Sequence, residues 1–166
     1  MRTLHLLRHA KSDWSDASLA DRARPLNRRG RRARRTIADH VTGWHVDLVV
    51  TSDAARAMAT AAPVVAALGC ELRIEPRLYD DGDDAAGLLA VVRELADETP
   101  VVLMVGHNPG IEQLADLLAG GAPAFPTAAL ATLELAVARW AEAAPGTATL
   151  TAFVTARTLD EGDGSR

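Results

Sequence analysis

The stretch Thr3-Leu4-His5-Leu6-Leu7-Arg8-His9-Ala10 decides how this chain is read. A short apolar run, the mark of a buried strand, breaks at an arginine and a histidine. In open α/β sheets, ligands bind in the crevice beyond such strand ends. Two other segments repeat the arrangement. Leu48-Val49-Val50 leads into Thr51-Ser52-Asp53-Ala54-Ala55-Arg56, and Val101-Val102-Leu103-Met104-Val105 leads into Gly106-His107-Asn108-Pro109-Gly110. An Arg-His or a Gly-His pair alone carries no signal. Together, Arg8, His9, Arg56 and His107 follow three strand-like segments, and each is a residue type that attacks or binds a phosphoryl group.

Strand and helix patterns alternate along the rest of the chain. Residues 3–7 read as a first strand. Residues 27–41 read as a helix with Asn27 at its N-cap and Ala33, Ile37 and Val41 on its buried stripe. A valine-rich strand at 47–51 is followed by a helix at 54–68, which Pro63 is expected to kink or interrupt. A short strand at 71–74 precedes a helix at 84–97 with Leu88, Val91, Val92 and Leu95 facing inward. A fully apolar strand at 101–105, a helix at 111–119 and two alternating strands at 129–136 and 147–155 complete the pattern. The end of the chain is polar, so a single domain over 1–158 with a frayed, disordered tail at 159–166 is expected. This order predicts a three-layer α/β/α fold with a mostly parallel central sheet. Right-handed crossovers then place the exits of the first, second and fourth strands on one sheet edge, which gathers His9, Arg56 and His107.

The chain has 166 residues, enough for one domain with a real core, and 48% of them are apolar. A net charge of -4 argues against nucleic-acid binding through bulk charge. The one cysteine, Cys70, rules out an intramolecular disulfide and reads as a small hydrophobe. Arg8 interrupts the N-terminal apolar stretch, so no secretory signal is read, and no run reaches membrane-spanning length. A cytoplasmic monomer without membrane partners is expected. Arg28, Arg29, Arg31, Arg32, Arg34 and Arg35 form either the solvated face of a helix or a docking surface for an acidic partner. His40 and His45 read as surface residues, since no cysteine or carboxylate cluster supports a metal there. His5 reads as a packed or hydrogen-bonded core residue. Trp14, Trp44 and Trp140 are too scattered for a base-stacking platform.

A neutral imidazole is a competent nucleophile toward phosphorus, so His9 can form a phosphohistidine that water then hydrolyses. Such transfer needs positioning and neutralisation of three equatorial oxygens. Arg8 and Arg56 supply planar, permanently charged forks, and His107, once protonated, a third cationic donor. The backbone at Asn108 and at the helix start after Pro109 adds anion affinity. The scheme calls for no metal and no cofactor. The rival of another class is a non-catalytic phosphate-recognition module, against which the histidine and both arginines argue.

These segments resemble the histidine phosphatase superfamily, whose signature is Arg-His-Gly at the first strand end; here Ala10 takes the third place. Lys11-Ser12-Asp13-Trp14, Arg24-Pro25-Leu26-Asn27, the Ser52–Arg56 segment with Thr60, and Gly106-His107-Asn108-Pro109-Gly110 resemble its SixA-like phosphohistidine phosphatase branch. The resemblance implies a phosphoglycerate mutase-like fold, His9 as nucleophile, and Arg8, Arg56 and His107 as the phosphate pocket. Ser15 falls where mutase relatives place a further phosphate-binding side chain. Relatives place a general acid shortly after an Arg-Leu pair. Here Arg77-Leu78-Tyr79 precedes Asp80, which either takes that role or helps to cap the helix that starts near Asp84. A sugar or glycerate alkoxide needs a proton donor to leave, and a protonated phosphohistidine needs less help. The stretch from Asp80 to His107 is also too short for a lid. Both points favour a phosphorylated protein over a small phosphoester such as a sugar phosphate or nucleotide.

Overall fold

The computed structural model describes residues 1–80 and 84–163. Along the chain run β1 (Arg2–Arg8), α1 (Arg28–His40), β2 (Leu48–Thr51), α2 (Ala55–Leu68), β3 (Glu71–Ile74), the single turn α3 (Arg77–Asp80) and α4 (Ala85–Arg93). They are followed by β4 (Val101–Gly106), α5 (Gly110–Ala119), β5 (Ala129–Leu135), β6 (Ala148–Thr155) and α6 (Ala156–Asp163). The strands form one sheet in the order β3-β2-β4-β1-β5-β6. From β3 to β1 the pairing is parallel, and β5 and β6 extend the sheet antiparallel.

The sheet is covered on both faces. Leu4, Leu6, Leu48, Val50, Val102 and Met104 face a core closed by Leu88, Val91 and Val92 of α4 and by Leu114 and Leu118 of α5. Leu7, Val49, Leu103 and Val105 face the opposite core, closed by Ile37 of α1 and by Ala57, Ala61 and Val64 of α2. Burial on both faces is why β1, β2 and β4 read as continuous apolar runs. The register sets Arg8 beside Gly106 and Thr51 beside Val105. The three strands therefore end level, and the residues that follow them share one edge.

Three details depart from the pattern in the sequence. First, α2 runs unbroken through Pro63. Proline leaves the carbonyl four residues earlier without its N–H. That carbonyl is on Ala59, and it accepts a 2.8 Å hydrogen bond from Nη1 of Arg34. Second, α4 ends at Arg93, four residues before the expected end. The N–H groups of Glu94 and Leu95 turn back onto Val91 and Val92, tightening the last turn. Third, residues 159–163, expected in a frayed tail, belong to α6. Leu159 packs on the second core, and Asp160 accepts from Thr36 Oγ1 at 2.9 Å and pairs with Arg32 at 3.3 Å. Those contacts with α1 supply the support that the polar local sequence lacks.

Helix α1 is capped by Asn27, whose side chain accepts from the Gly30 N–H at 2.8 Å. A Cβ at Gly30 would collide with the Lys11 carbonyl. The missing side chain lets α1 pack directly on the loop that follows His9. Among the described residues no helix is long and apolar enough to cross a membrane.

Candidate active site

The loop after β1 extends the sheet by one rung before it turns. The His9 N–H donates to the Gly106 carbonyl at 3.0 Å, and the Ala128 N–H donates to the carbonyls of Arg8 and His9. The Ala10 N–H donates to Thr60 Oγ1 at 2.9 Å, and that hydroxyl donates to the Arg56 carbonyl at 2.7 Å. Thr60 thus ties the histidine loop to the first turn of α2, where Arg56 sits.

His9 is buried, with 7% exposure. Its Nδ1 lies 2.7 Å from the Ala10 carbonyl. A carbonyl only accepts, so this bond assigns the proton to Nδ1 and leaves the lone pair on Nε2. Burial is the largest influence on the ring and pushes its pKa down to about 4. The Ala10 carbonyl opposes that shift, and the charges of Arg56, Arg8 and Arg24 reinforce it. At neutral pH the ring is uncharged and Nε2 is available.

His107 lies against it, with ring centroids 4.9 Å apart. Its Nε2 is 2.8 Å from Ser52 Oγ, and that oxygen accepts from the Ala54 N–H at 3.0 Å. The Ser52 proton therefore points to Nε2, and the His107 proton resides on Nδ1, which is buried without a partner. Burial, then the neighbouring His9 and Arg56, lowers the His107 pKa to about 3. The expectation of a cationic donor changes accordingly: His107 offers a neutral Nδ1–H.

Arg8 and Arg56 bring positive charge to bear on His9. Arg8 Nη1 donates to the Phe125 carbonyl at 2.7 Å. Arg56 donates from Nη1 to the Asp21 carbonyl at 2.7 Å and from Nη2 to Asp21 Oδ2 at 3.0 Å. The Nε atoms of both arginines are buried without partners. The cluster thus holds two oriented guanidinium groups with unused donors, one neutral N–H donor and one free imidazole lone pair. That set suits a tetrahedral oxyanion that a ring nitrogen can attack.

The other candidates are placed differently. Ser15 is exposed, and its N–H donates to Asp13 Oδ1 at 2.8 Å. Asn108 builds the wall through its side chain, with Nδ2 donating to Glu112 Oε2 at 3.0 Å and to the Phe125 carbonyl at 3.1 Å. The side chain of Asp80 lies outside the described residues. Asp84 caps α4 by accepting from the Ala86 N–H at 3.0 Å. His5 Nδ1 meets Thr132 Oγ1 at 2.9 Å, a satisfied core histidine. His45 pairs with Asp47, and His40 packs edge-on against Trp44. Of the arginine-rich helix, Arg31 bonds the Leu26 carbonyl, Arg34 that of Ala59, and Arg32 pairs with Asp160.

Several residues of the cluster had no assigned role in the sequence. Ser52 follows β2 directly, as His9 follows β1, and that shared position was a usable signal. Arg24 stood in a recognised motif; it is buried, donates to Asp21 and Ser12, and its guanidinium lies 3.4 Å over Trp14. Asp21, Tyr79 and Glu112 come from irregular or helical segments where no periodicity marks them.

Two arginines and two histidines, one with a free ring nitrogen, thus gather where the parallel strands of an α/β sheet end, an arrangement whose chemistry suits phosphoryl transfer. Residues 4–100 match the histidine phosphatase superfamily (branch 1), and the chain belongs to that superfamily. The match stops before His107, which the fold returns to the same cluster. An uncharacterized protein of Mycobacterium tuberculosis is 34% identical over 164 residues, covering 89% of this chain and 98% of its own. A structure from Nakamurella multipartitia, provisionally named phosphohistidine phosphatase SixA, superposes with a TM-score of 0.80 at 29% identity, covering 92% of this chain and 95% of that one. The protein histidine phosphatase SixA complexed with tungstate superposes with a TM-score of 0.79 at 25% identity, covering 95% and 99%. The fold is thus phosphoglycerate mutase-like and SixA-like, and superfamily and neighbours together mark the chain as a phosphatase.

Proposed function

We propose that this phosphatase removes phosphoryl groups from histidine side chains of proteins, through a covalent intermediate on His9. The observation that carries the reading is the one free nitrogen of a buried, uncharged His9, whose ring lies 4.9 Å from that of His107 and within the field of Arg8 and Arg56. In the first step the Nε2 lone pair attacks phosphorus. The bond from phosphorus to the substrate ring nitrogen breaks, and the electron pair stays on that nitrogen. A substrate ring protonated on its other nitrogen leaves as neutral imidazole and needs no external acid. His9 keeps its Nδ1 proton against the Ala10 carbonyl, so the phosphorylated ring is itself an imidazolium. In the second step water attacks phosphorus, the pair returns to Nε2, and dihydrogen phosphate and neutral His9 are regenerated. Arg8, Arg56 and the His107 Nδ1–H hold the equatorial oxygens through both steps. Charge neutralisation by arginine means the scheme calls for no metal.

Two features support a protein substrate. The chain between α3 and β4 is short, and among the described residues it holds the single helix α4 and no inserted domain. Beside the loop after His9 runs a groove of about 560 Å³, lined by Lys11, Arg29, Arg32 and Arg157 with Asp160 and Glu161. Its positive excess suits an acidic protein surface.

The test is a panel of histidine-phosphorylated protein, sugar phosphates, nucleotides and p-nitrophenyl phosphate, run on wild type, His9→Ala, Arg56→Ala and Asp80→Asn. Phosphohistidine is expected to turn over fastest. His9→Ala abolishes release, Arg56→Ala lowers it about a hundredfold to a thousandfold, and Asp80→Asn spares phosphohistidine. Near-normal rates from His9→Ala, or a clear preference for a sugar phosphate or nucleotide, overturn the reading. Binding without any release of phosphate restores the recognition-module alternative.

A further inference from the structure

A carboxylate that reaches the cluster belongs to Asp21, in the short 3-10 turn Asp21–Ala23 between β1 and α1. Oδ1 accepts from Arg24 Nε at 2.9 Å and Nη2 at 2.7 Å. Oδ2 accepts from Arg56 Nη2 at 3.0 Å and from the Tyr79 hydroxyl at 2.9 Å. The Asp21 carbonyl accepts from Arg56 Nη1 at 2.7 Å. Asp21 thus grips Arg56 through both terminal nitrogens. An end-on grip leaves the side edge of the guanidinium, Nε–H with the remaining terminal N–H, for a second bidentate acceptor. The Nε of Arg56 is buried and has no partner.

Tyr79 closes the arrangement. Its ring stands edge-on to His107, with centroids 5.4 Å apart at 90°, while its hydroxyl holds Asp21. The Arg22 guanidinium lies 4.3 Å from the centre of the same ring. One carboxylate therefore joins α2, α3 and the loop after β1 at the mouth of the cluster. Arginine side chains carry large rotamer entropy, and two of them near one anion site need an external restraint to present a fixed fork.

We propose that Asp21 is a positioning residue: it clamps Arg56 end-on, with Arg24 held beside it, so that the free side edge of Arg56 faces an oxyanion at His9. The proposal rests on the reading of Arg56 as a phosphoryl-binding residue. It makes Asp21 the carboxylate that orients Arg56 and separates that role from proton donation.

The test has a binding arm and a turnover arm. In the first, inorganic phosphate is titrated calorimetrically into wild type, Asp21→Asn and Asp21→Ala. In the second, p-nitrophenyl phosphate turnover is measured for the same proteins, for Arg56→Ala and for the double variant Asp21→Ala/Arg56→Ala. Thermal unfolding of each variant confirms a native fold; the milder Asp21→Asn serves if Asp21→Ala does not fold. Phosphate affinity is expected to fall about tenfold or more in Asp21→Ala, with Asn intermediate because it keeps one acceptor oxygen. Turnover is expected to fall in kcat more than to rise in KM, since a misplaced group near the chemistry costs up to about a hundredfold. Asp21→Ala on the Arg56→Ala background is expected to add little. Unchanged or tighter phosphate binding in Asp21→Ala overturns the proposal, the latter by making Asp21 a competitor for Arg56. Full additivity with Arg56→Ala also overturns it. The binding arm needs no turnover, so it stays decisive if the phosphatase reading fails.

Discussion

Ser52 Oγ lies 2.8 Å from Nε2 of His107 and accepts at the same time from the Ala54 N–H. A hydroxyl that accepts from a backbone N–H has its proton free for the ring. Ser52 therefore selects the His107 tautomer that carries its proton on Nδ1, the buried nitrogen without a partner. Ser52→Ala removes the selection and lets the ring donate in the wrong direction. A loss of about tenfold in kcat/KM is expected, the kinetic equivalent of one net hydrogen bond. Steady-state kinetics with p-nitrophenyl phosphate checks it, and Ser52→Thr is expected to recover part of the loss.

The burial of three histidines fixes a pH dependence. His5 and His9 are pushed down to about 4, and His107 to about 3, in each case first by desolvation. The folded pKa lies below the unfolded value near 6.5, so the unfolded chain binds more protons between the two values. Stability therefore rises with pH across that window and falls as pH drops from about 6.5 toward 4. By pH 5 each ring costs at most about 2 kcal/mol. Urea unfolding at pH 7.5 and pH 5 is expected to show the loss, and His5→Gln is expected to reduce it without touching the site. In the same range kcat/KM for a small ester is expected to keep its neutral His9, so its acidic limb falls near pH 4 rather than 6.5.

The sheet was legible because β1, β2 and β4 are buried on both faces, which leaves apolar runs that end sharply at polar residues. His9, Arg56 and His107 were legible for the same reason: each stands just past such a run or in the first turn of the next helix. What the sequence hid is the layer that orients them. Asp21 acts from a loop without periodicity, and its three partners come from positions 24, 56 and 79. Only the folded chain shows that they share one carboxylate. Helix α6 was hidden because its stability comes from Thr36 and Arg32 on another helix.

Glu112 of α5 belongs to that orienting layer. Its Oε2 accepts from the Phe125 N–H at 2.8 Å and from Asn108 Nδ2 at 3.0 Å, while the Phe125 carbonyl accepts from Arg8 Nη1 at 2.7 Å. The carboxylate thus fixes the segment that holds one edge of Arg8. Glu112→Ala frees Phe125 and lets Arg8 move, with an expected loss of kcat/KM of up to about a hundredfold. Glu112→Gln keeps one acceptor oxygen and is expected to lie between that variant and wild type. Equal activity of Glu112→Ala and wild type removes Glu112 from the account.

Pro63 and Arg34 offer a test of the fold alone. The proline deprives the Ala59 carbonyl of its helical donor, and Arg34 Nη1 supplies a replacement at 2.8 Å. Arg34→Ala leaves that carbonyl to solvent or unpaired, at an expected cost of about 1 kcal/mol in urea unfolding. Pro63→Ala restores an N–H within the helix, so the same arginine substitution made on that background is expected to cost less. The two sites are coupled through one carbonyl oxygen, which predicts non-additive free energies in a double-mutant cycle. Strict additivity means that Arg34 does not compensate for the proline, and the continuity of α2 then rests on its packing against α1.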